Sequence, residues 1–227
     1  MAFEKIPARI QVHNLVKSSV GDVPGVAREL GRALVKLVIT DETDIEGKHI
    51  LVAATPEDID LIAGGFIDLL SERKAKVTIS CFWNIERQTA NGDWFVDLAA
   101  QYNDLHPQKP DYAFAVTSSI EKPAGVAANL DRLREFTPKS WAIVVPAASI
   151  DARKRLEDEL QTRDINGSVI QAAFGLEKSD ALTAQITARI IEYLEAEHGQ
   201  GVNFFVPALI RSRPPMPRPQ PPAYSPI

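Results

Sequence analysis

The stretch from residue 49 to residue 74, HILVAATPEDIDLIAGGFIDLLSERK, decides the fold. It opens on Ile50-Leu51-Val52-Ala53-Ala54, an apolar run of strand length without polar alternation, which predicts a strand covered on both faces. Thr55-Pro56-Glu57-Asp58 follows with the chemistry of a helix start: Thr as N-cap, Pro at the first helical position, acids in the first turn. Ile59, Ile62, Phe66, Leu69 and Leu70 then recur at helical spacing and make one apolar face. The apolar run from Val77 to Trp83 predicts the next strand and completes a βαβ unit.

The same rhythm runs outward in both directions. Ala8 to Leu15 alternates and predicts an edge strand, and Asp22 to Ile39 predicts an amphipathic helix capped by Asp22 with Pro24 in its first turn. Beyond Trp83 the pattern predicts a polar loop over 84–93, a helix over Trp94 to Tyr102, a Pro-bracketed turn over 106–110 and a strand over Tyr112 to Thr117. A helix carrying Val126, Leu130, Leu133 and Phe136 comes next, then a strand over Trp141 to Val145 and a helix capped by Asp151. Ser168 to Phe174 predicts a strand and Asp180 to Glu197 a long helix. Phe204 to Ile210 reads as a last edge strand, because Pro207 would remove a ladder bond in a central one. Strands alternating with helices imply a three-layer α/β sandwich around a mostly parallel, doubly wound, Rossmann-like sheet.

The predicted organisation is a single α/β domain over 1–210, with a strand-helix unit over 1–47 and the βα core over 48–210. A Pro-rich tail, RSRPPMPRPQPPAYSPI, occupies 211–227 and should be extended. Within it Arg211, Pro214 and Pro217 fit an R-x-x-P-x-x-P pattern that suits an aromatic groove in a partner or a neighbouring subunit.

A net charge of −5 gives no basic footprint for nucleic acid. No apolar run approaches the roughly 20 residues that span a bilayer, and Met1-Ala2-Phe3-Glu4-Lys5 does not open a signal peptide, so the expected location is cytoplasmic. One cysteine, Cys81 in an apolar strand, excludes an internal disulfide and reads as a packing residue. The scattered His13, His49, His106 and His198 show no metal-ligand spacing.

In an open parallel sheet ligands bind outside the carboxyl ends of the strands. The prediction places Thr55, Glu57, Asp58, Trp83, Asn84, Arg87, Thr117, Ser118, Ser119 and Lys122 there. Glu57 and Asp58 read as partners of the helix dipole, with a grip on a ribose or a cation as the alternative. Trp83, Asn84 and Arg87 would suit stacking on a base; the plainer reading makes Trp83 a core cap with Arg87 in solvent. No G-x-G-x-x-G, Walker A or G-x-S-x-G sequence is present, and Gly64-Gly65 lies inside a predicted helix rather than before one. The best phosphate candidate is Thr117 to Gly125, small hydroxyl residues after a strand, then Lys122, then Gly125 at a helix start.

From Tyr112 to Phe174, strand, polar loop with a closing glycine, helix and an apolar strand ending in Val145-Pro146-Ala147 resemble the type I phosphoribosyltransferases, particularly their uracil-specific branch. In that family the loop carries two adjacent acids and a Thr-Gly pair that grip the ribose phosphate. Here Ser118-Ser119 stands where the acids would be, and Ala124-Gly125 follows one or two residues late. The resemblance implies a nucleotide or sugar-phosphate ligand, Mg²⁺ accompanying its phosphate, and a transferase site lacking its acidic pair. Two other readings stand beside it: an interaction protein that uses the domain as a platform and 211–227 for a partner, and a Rossmann-like enzyme of unrelated chemistry.

Overall fold

A computed structural model describes residues 5–40, 43–88, 94–104, 109–134, 141–176, 181–199 and 205–213. Its sheet has six strands: β1 (His49–Ala54), β2 (Lys76–Gln88), β3 (Trp94–Asn103), β4 (Tyr112–Val116), β5 (Ala142–Ser149) and β6 (Val169–Leu176). They lie in the order β3-β2-β1-β4-β5-β6, all parallel except β3, which runs antiparallel to β2. This is the three-layer α/β sandwich with a mostly parallel, doubly wound sheet that the sequence predicts.

All six residues of β1 are buried, and its side chains divide between two cores. Ile50, Val52 and Ala54 face α1 (Lys5–Lys17), α2 (Val23–Val35), α4 (Ile62–Glu72) and α7 (Ala181–His198). Leu51 and Ala53 face α5 (Pro123–Arg132) and α6 (Ile150–Thr162). Right-handed crossovers require this division, because strand order reverses direction between the β1–β2 and β4–β5–β6 halves. The reversal leaves a crevice at the carboxyl ends of β1 and β4.

The predicted helix after β1 is two helices. A four-residue α3 (Pro56–Ile59) starts at Thr55, whose extended φ −92, ψ 167 make it the N-cap residue, and the chain breaks at Asp60-Leu61 before α4. Gly64-Gly65 serves packing. A Cβ on Gly65 would stand 1.9 Å from the Arg28 carbonyl oxygen, and one on Gly31 would stand 1.9 Å from that of Ile62, so α2 and α4 cross backbone to backbone. Arg28–Asp68 at 2.5 Å and the two-pronged Arg32–Glu72 pair at 2.7 and 2.8 Å flank the crossing. Pro146 sits inside β5 beyond the end of β4. The last β4–β5 pair is Val116 with Val144, so the N–H that Pro146 lacks falls beyond that ladder.

Four predicted elements and one helix cap are corrected. Ala8 to Leu15 belongs to helix α1, not a strand: its buried residues are Ala8, Val12 and Leu15, a helical spacing, while Ile10 stays exposed. Trp94 to Tyr102 is strand β3, not a helix, and the predicted loop from Asn84 begins instead as the continuation of β2, bulged between Trp83 and Asn84. The hairpin of β2 and β3 therefore runs past the end of β1, which stops opposite Cys81, by roughly 20 Å at the usual strand rise. Phe205 to Pro207 leads into the short helix α8 (Ala208–Arg211) instead of forming a strand, with Pro207 at its N-cap. The cap of α6 is Ser149, whose Oγ accepts from the Ala152 amide at 3.0 Å, in place of Asp151.

Residues 89–93 of the predicted loop, 106–108 of the predicted turn, Phe136, Asp180 and the tail from Pro214 lie outside the described residues. No helix among the described residues is long and apolar enough to cross a membrane.

Candidate functional site

The crevice at the β1–β4 reversal holds a cavity of 500 Å³, the size of a small-molecule site. The turn after β1 contributes Thr55, Glu57 and Asp58, and the turn after β4 contributes Thr117, Ser118 and Lys122. Helix α7 supplies a third wall from Thr187, Ile190, Ile191, Leu194 and Glu195. Six of the sequence-predicted residues thus meet in one place.

Asp58 is the centre of this arrangement. It is 2% exposed, yet it carries a carboxyl group. Its Oδ2 accepts from the Ser118 amide at 3.0 Å and from the Thr55 hydroxyl at 3.4 Å, tying the two turns together. Its Oδ1 is buried without a hydrogen-bond partner. Burial pushes the carboxyl up to about 6, against the pull of the Ser118 amide, and the charge of Glu57 adds to the rise. A buried acceptor without a donor costs on the order of 1–3 kcal/mol, so a ligand that donates to Oδ1 recovers that cost. Thr187 Oγ1 is likewise buried and unpartnered.

The turn after β4 is knotted by its own side chains. The Thr117 hydroxyl donates to the Ser119 carbonyl at 2.9 Å, and the Glu121 amide donates to the Ser119 hydroxyl at 3.1 Å. With the Ser118 amide spent on Asp58, the first part of the turn has few amides left for an anion. Lys122, at the N-cap position of α5, lies on the cavity wall.

The remaining predicted residues lie elsewhere. Trp83 is buried at 8% exposure and its indole Nε1 donates to the Phe205 carbonyl at 2.9 Å, so it is a core cap and offers no face for stacking on a base. Arg87 stands on the protruding hairpin and pairs with Asp97 of β3 at 3.3 Å. Asn84 is half-buried near Gly125, where a Cβ would meet its Nδ2 at an ordinary 3.8 Å. Ser119 shapes its turn without lining the cavity. Cys81 is buried, which pushes its thiol up, in keeping with a packing residue.

Sequence reading missed the α7 wall. Its signal was present: Thr183 and Thr187, four apart, interrupt an otherwise apolar stripe of Leu182, Ile186, Ile190 and Leu194. Among the described residues no group of three or more His, Cys, Asp or Glu could hold a metal ion.

No family model matches the sequence, and no curated protein matches it. Among solved structures the fold is similar to the AQ2163 protein of Aquifex aeolicus, with a TM-score of 0.55 at 13% identity over 78% of this chain and 86% of that one. The adenine phosphoribosyltransferase of Rhodothermus marinus matches with a TM-score of 0.40 at 14% identity, over 65% of this chain and 80% of that one. A hypoxanthine phosphoribosyltransferase of Staphylococcus aureus gives 0.39 at 14% identity, over 72% and 79%. At such identities the Aquifex likeness is one of fold alone. The two transferases superpose too loosely to add to it, and neither bears on the uracil-type branch.

Proposed function

We propose that the protein is a phosphoribosyltransferase-like binder of a sugar phosphate or nucleotide, held in the cavity between the turns after β1 and β4, without transferase chemistry. The observation that carries this reading is Asp58. The turn after β4 has serines where the resembled family has acids, and a carboxylate from the neighbouring turn reaches it instead. A sugar hydroxyl would donate to Asp58 Oδ1, Lys122 would face the phosphate, and Ile190, Ile191 and Leu194 would cover an apolar base or ring face. The self-satisfied amides of the same turn support binding over transfer, because a pyrophosphate leaving group needs preorganised donors that are spent here.

The test is isothermal titration with ribose 5-phosphate, phosphoribosyl pyrophosphate and nucleoside monophosphates, each with and without Mg²⁺. Saturable binding is expected, weakened roughly tenfold or more in Asp58→Ala and in Lys122→Ala. Nucleobase-dependent release of pyrophosphate would overturn the non-catalytic part. Absence of binding by all of these ligands would overturn the whole.

A second reading, an interaction protein with its partner on the tail, draws on the fastening of the chain just before it. The Asp60 carboxylate accepts from the Ala208 and Leu209 amides at 2.6 and 2.8 Å, Ile210 is buried, and Arg213 pairs with Asp104. Residues 205–213 would then present the Pro-rich segment from a fixed point. Loss of a co-purifying or self-associating partner on deletion of 214–227 would support this reading, and unchanged association would remove it.

A further inference from the structure

A second cavity, of 360 Å³, lies on the opposite face of the sheet between the β2–β3 hairpin and helices α5 and α6. Phe95 and Val96 of β3, Asp131 and Arg132 of α5, and Glu159 and Arg163 of α6 line it. Its lining holds two arginines and two acids. Asp131 is taken by Arg134 at 2.8 Å, and Glu159 by Arg163 Nη2 at 3.5 Å. Arg132 then has no acid partner among the described residues. Both lining arginines hold unspent donors: Arg132 Nη1 and Arg163 Nε are buried without a hydrogen-bond partner. Two buried guanidinium donors without a partner in one cavity favour an anionic acceptor, whose hydrogen bonds from guanidinium are charge-assisted. Phe95, 44% exposed beside them, supplies an aromatic contact.

We propose that this cavity is a separate anion site, which takes a small oxyanion, a phosphate monoester or a carboxylate, on Arg132 and Arg163 and packs an aromatic substituent of that ligand against Phe95. A planar, two-oxygen edge matches the guanidinium fork in either case. The site shares no lining residue with the cavity at Asp58, so either stands or falls without the other.

The experiment is an NMR titration of the full chain with phenyl phosphate, benzoate and, as the neutral control, benzyl alcohol, read at the arginine Nε–H resonances. The expected result is a saturable shift of the Arg163 Nε–H resonance with at least one anion and none with the alcohol. Which anion acts names the source of the oxyanion. Affinity should fall roughly tenfold or more in Arg132→Gln, the loss expected of a charge-assisted hydrogen bond, and by less in Arg132→Lys, which keeps charge without the fork. Phe95→Ala should weaken the aromatic anions more than inorganic phosphate. Should Arg132→Gln fail to fold, Arg163→Gln takes its place with the Arg132 resonances as readout. A shift equal for the alcohol and the anions, no shift with either anion at millimolar concentration, or anion affinity unchanged in the folded variant would overturn the proposal.

Discussion

Asp58 shows how one side chain can hold two turns together at a cost. Its ordinary value is 3.8, and in the fold it is raised to about 6, so the folded state holds this proton more tightly than the unfolded one. The stabilising contribution is fully present below about pH 4, declines as pH rises toward 6, and is gone above it, a change on the order of 3 kcal/mol. Asp58→Asn keeps an acceptor for the Ser118 amide and has no proton to lose. It should therefore unfold at equal or higher urea concentration than the parent at pH 7, with the advantage shrinking or reversing by pH 4. Parallel denaturation curves at both pH values would contradict this. The sequence made Asp58 visible only as an acid at a helix start. Its burial depends on the turn after β4, 60 residues away, which no local pattern records.

At the scale of elements, legibility followed the number of faces an element buries. Strand β1, covered on both sides, read directly, whereas α1 and β3 did not. ARIQVHNL fits a two-residue period as well as a helical one, and tertiary contact selects Ala8, Val12 and Leu15 as the buried set. In β3, at the edge of the sheet, residues 95–103 are exposed or half-buried throughout, so no fully buried face marks the strand. The α2–α4 crossing gives a paired prediction. Gly31→Ala, with its Cβ 1.9 Å from a backbone carbonyl, should lose on the order of 1–3 kcal/mol or more despite the better helix propensity of Ala. Gly25→Ala in the same helix, with nothing within 4 Å, should gain roughly 0.5–1 kcal/mol. Urea midpoints of the two variants check both signs. The C-terminal strap gives a local one: Asp60→Ala removes the carboxylate that caps α8, costs about 1–2 kcal/mol, and should speed hydrogen exchange at Ala208 and Leu209 before it affects the sheet.

For the whole molecule, the βα rhythm was enough to specify the layers, the parallel sheet and the end of it where the Asp58 cavity opens. Half of the candidate site followed from that, because Thr55, Glu57, Asp58, Thr117, Ser118 and Lys122 all lie at strand ends that the topology brings together. Trp83 and Arg87 left the site for reasons that are global: the strap of residues 205–213 covers the indole, and the hairpin carries the guanidinium beyond the sheet. The α7 wall arrives from the far end of the chain. The central claim, that a sugar phosphate or nucleotide binds at Asp58, is tested most directly by following backbone amides in a heteronuclear NMR titration with ribose 5-phosphate at pH 7. The account predicts saturable shifts at Thr55, Thr117 and Ser118 that disappear in Asp58→Ala. Shifts that persist in that variant, or that spare the two turns altogether, would contradict it.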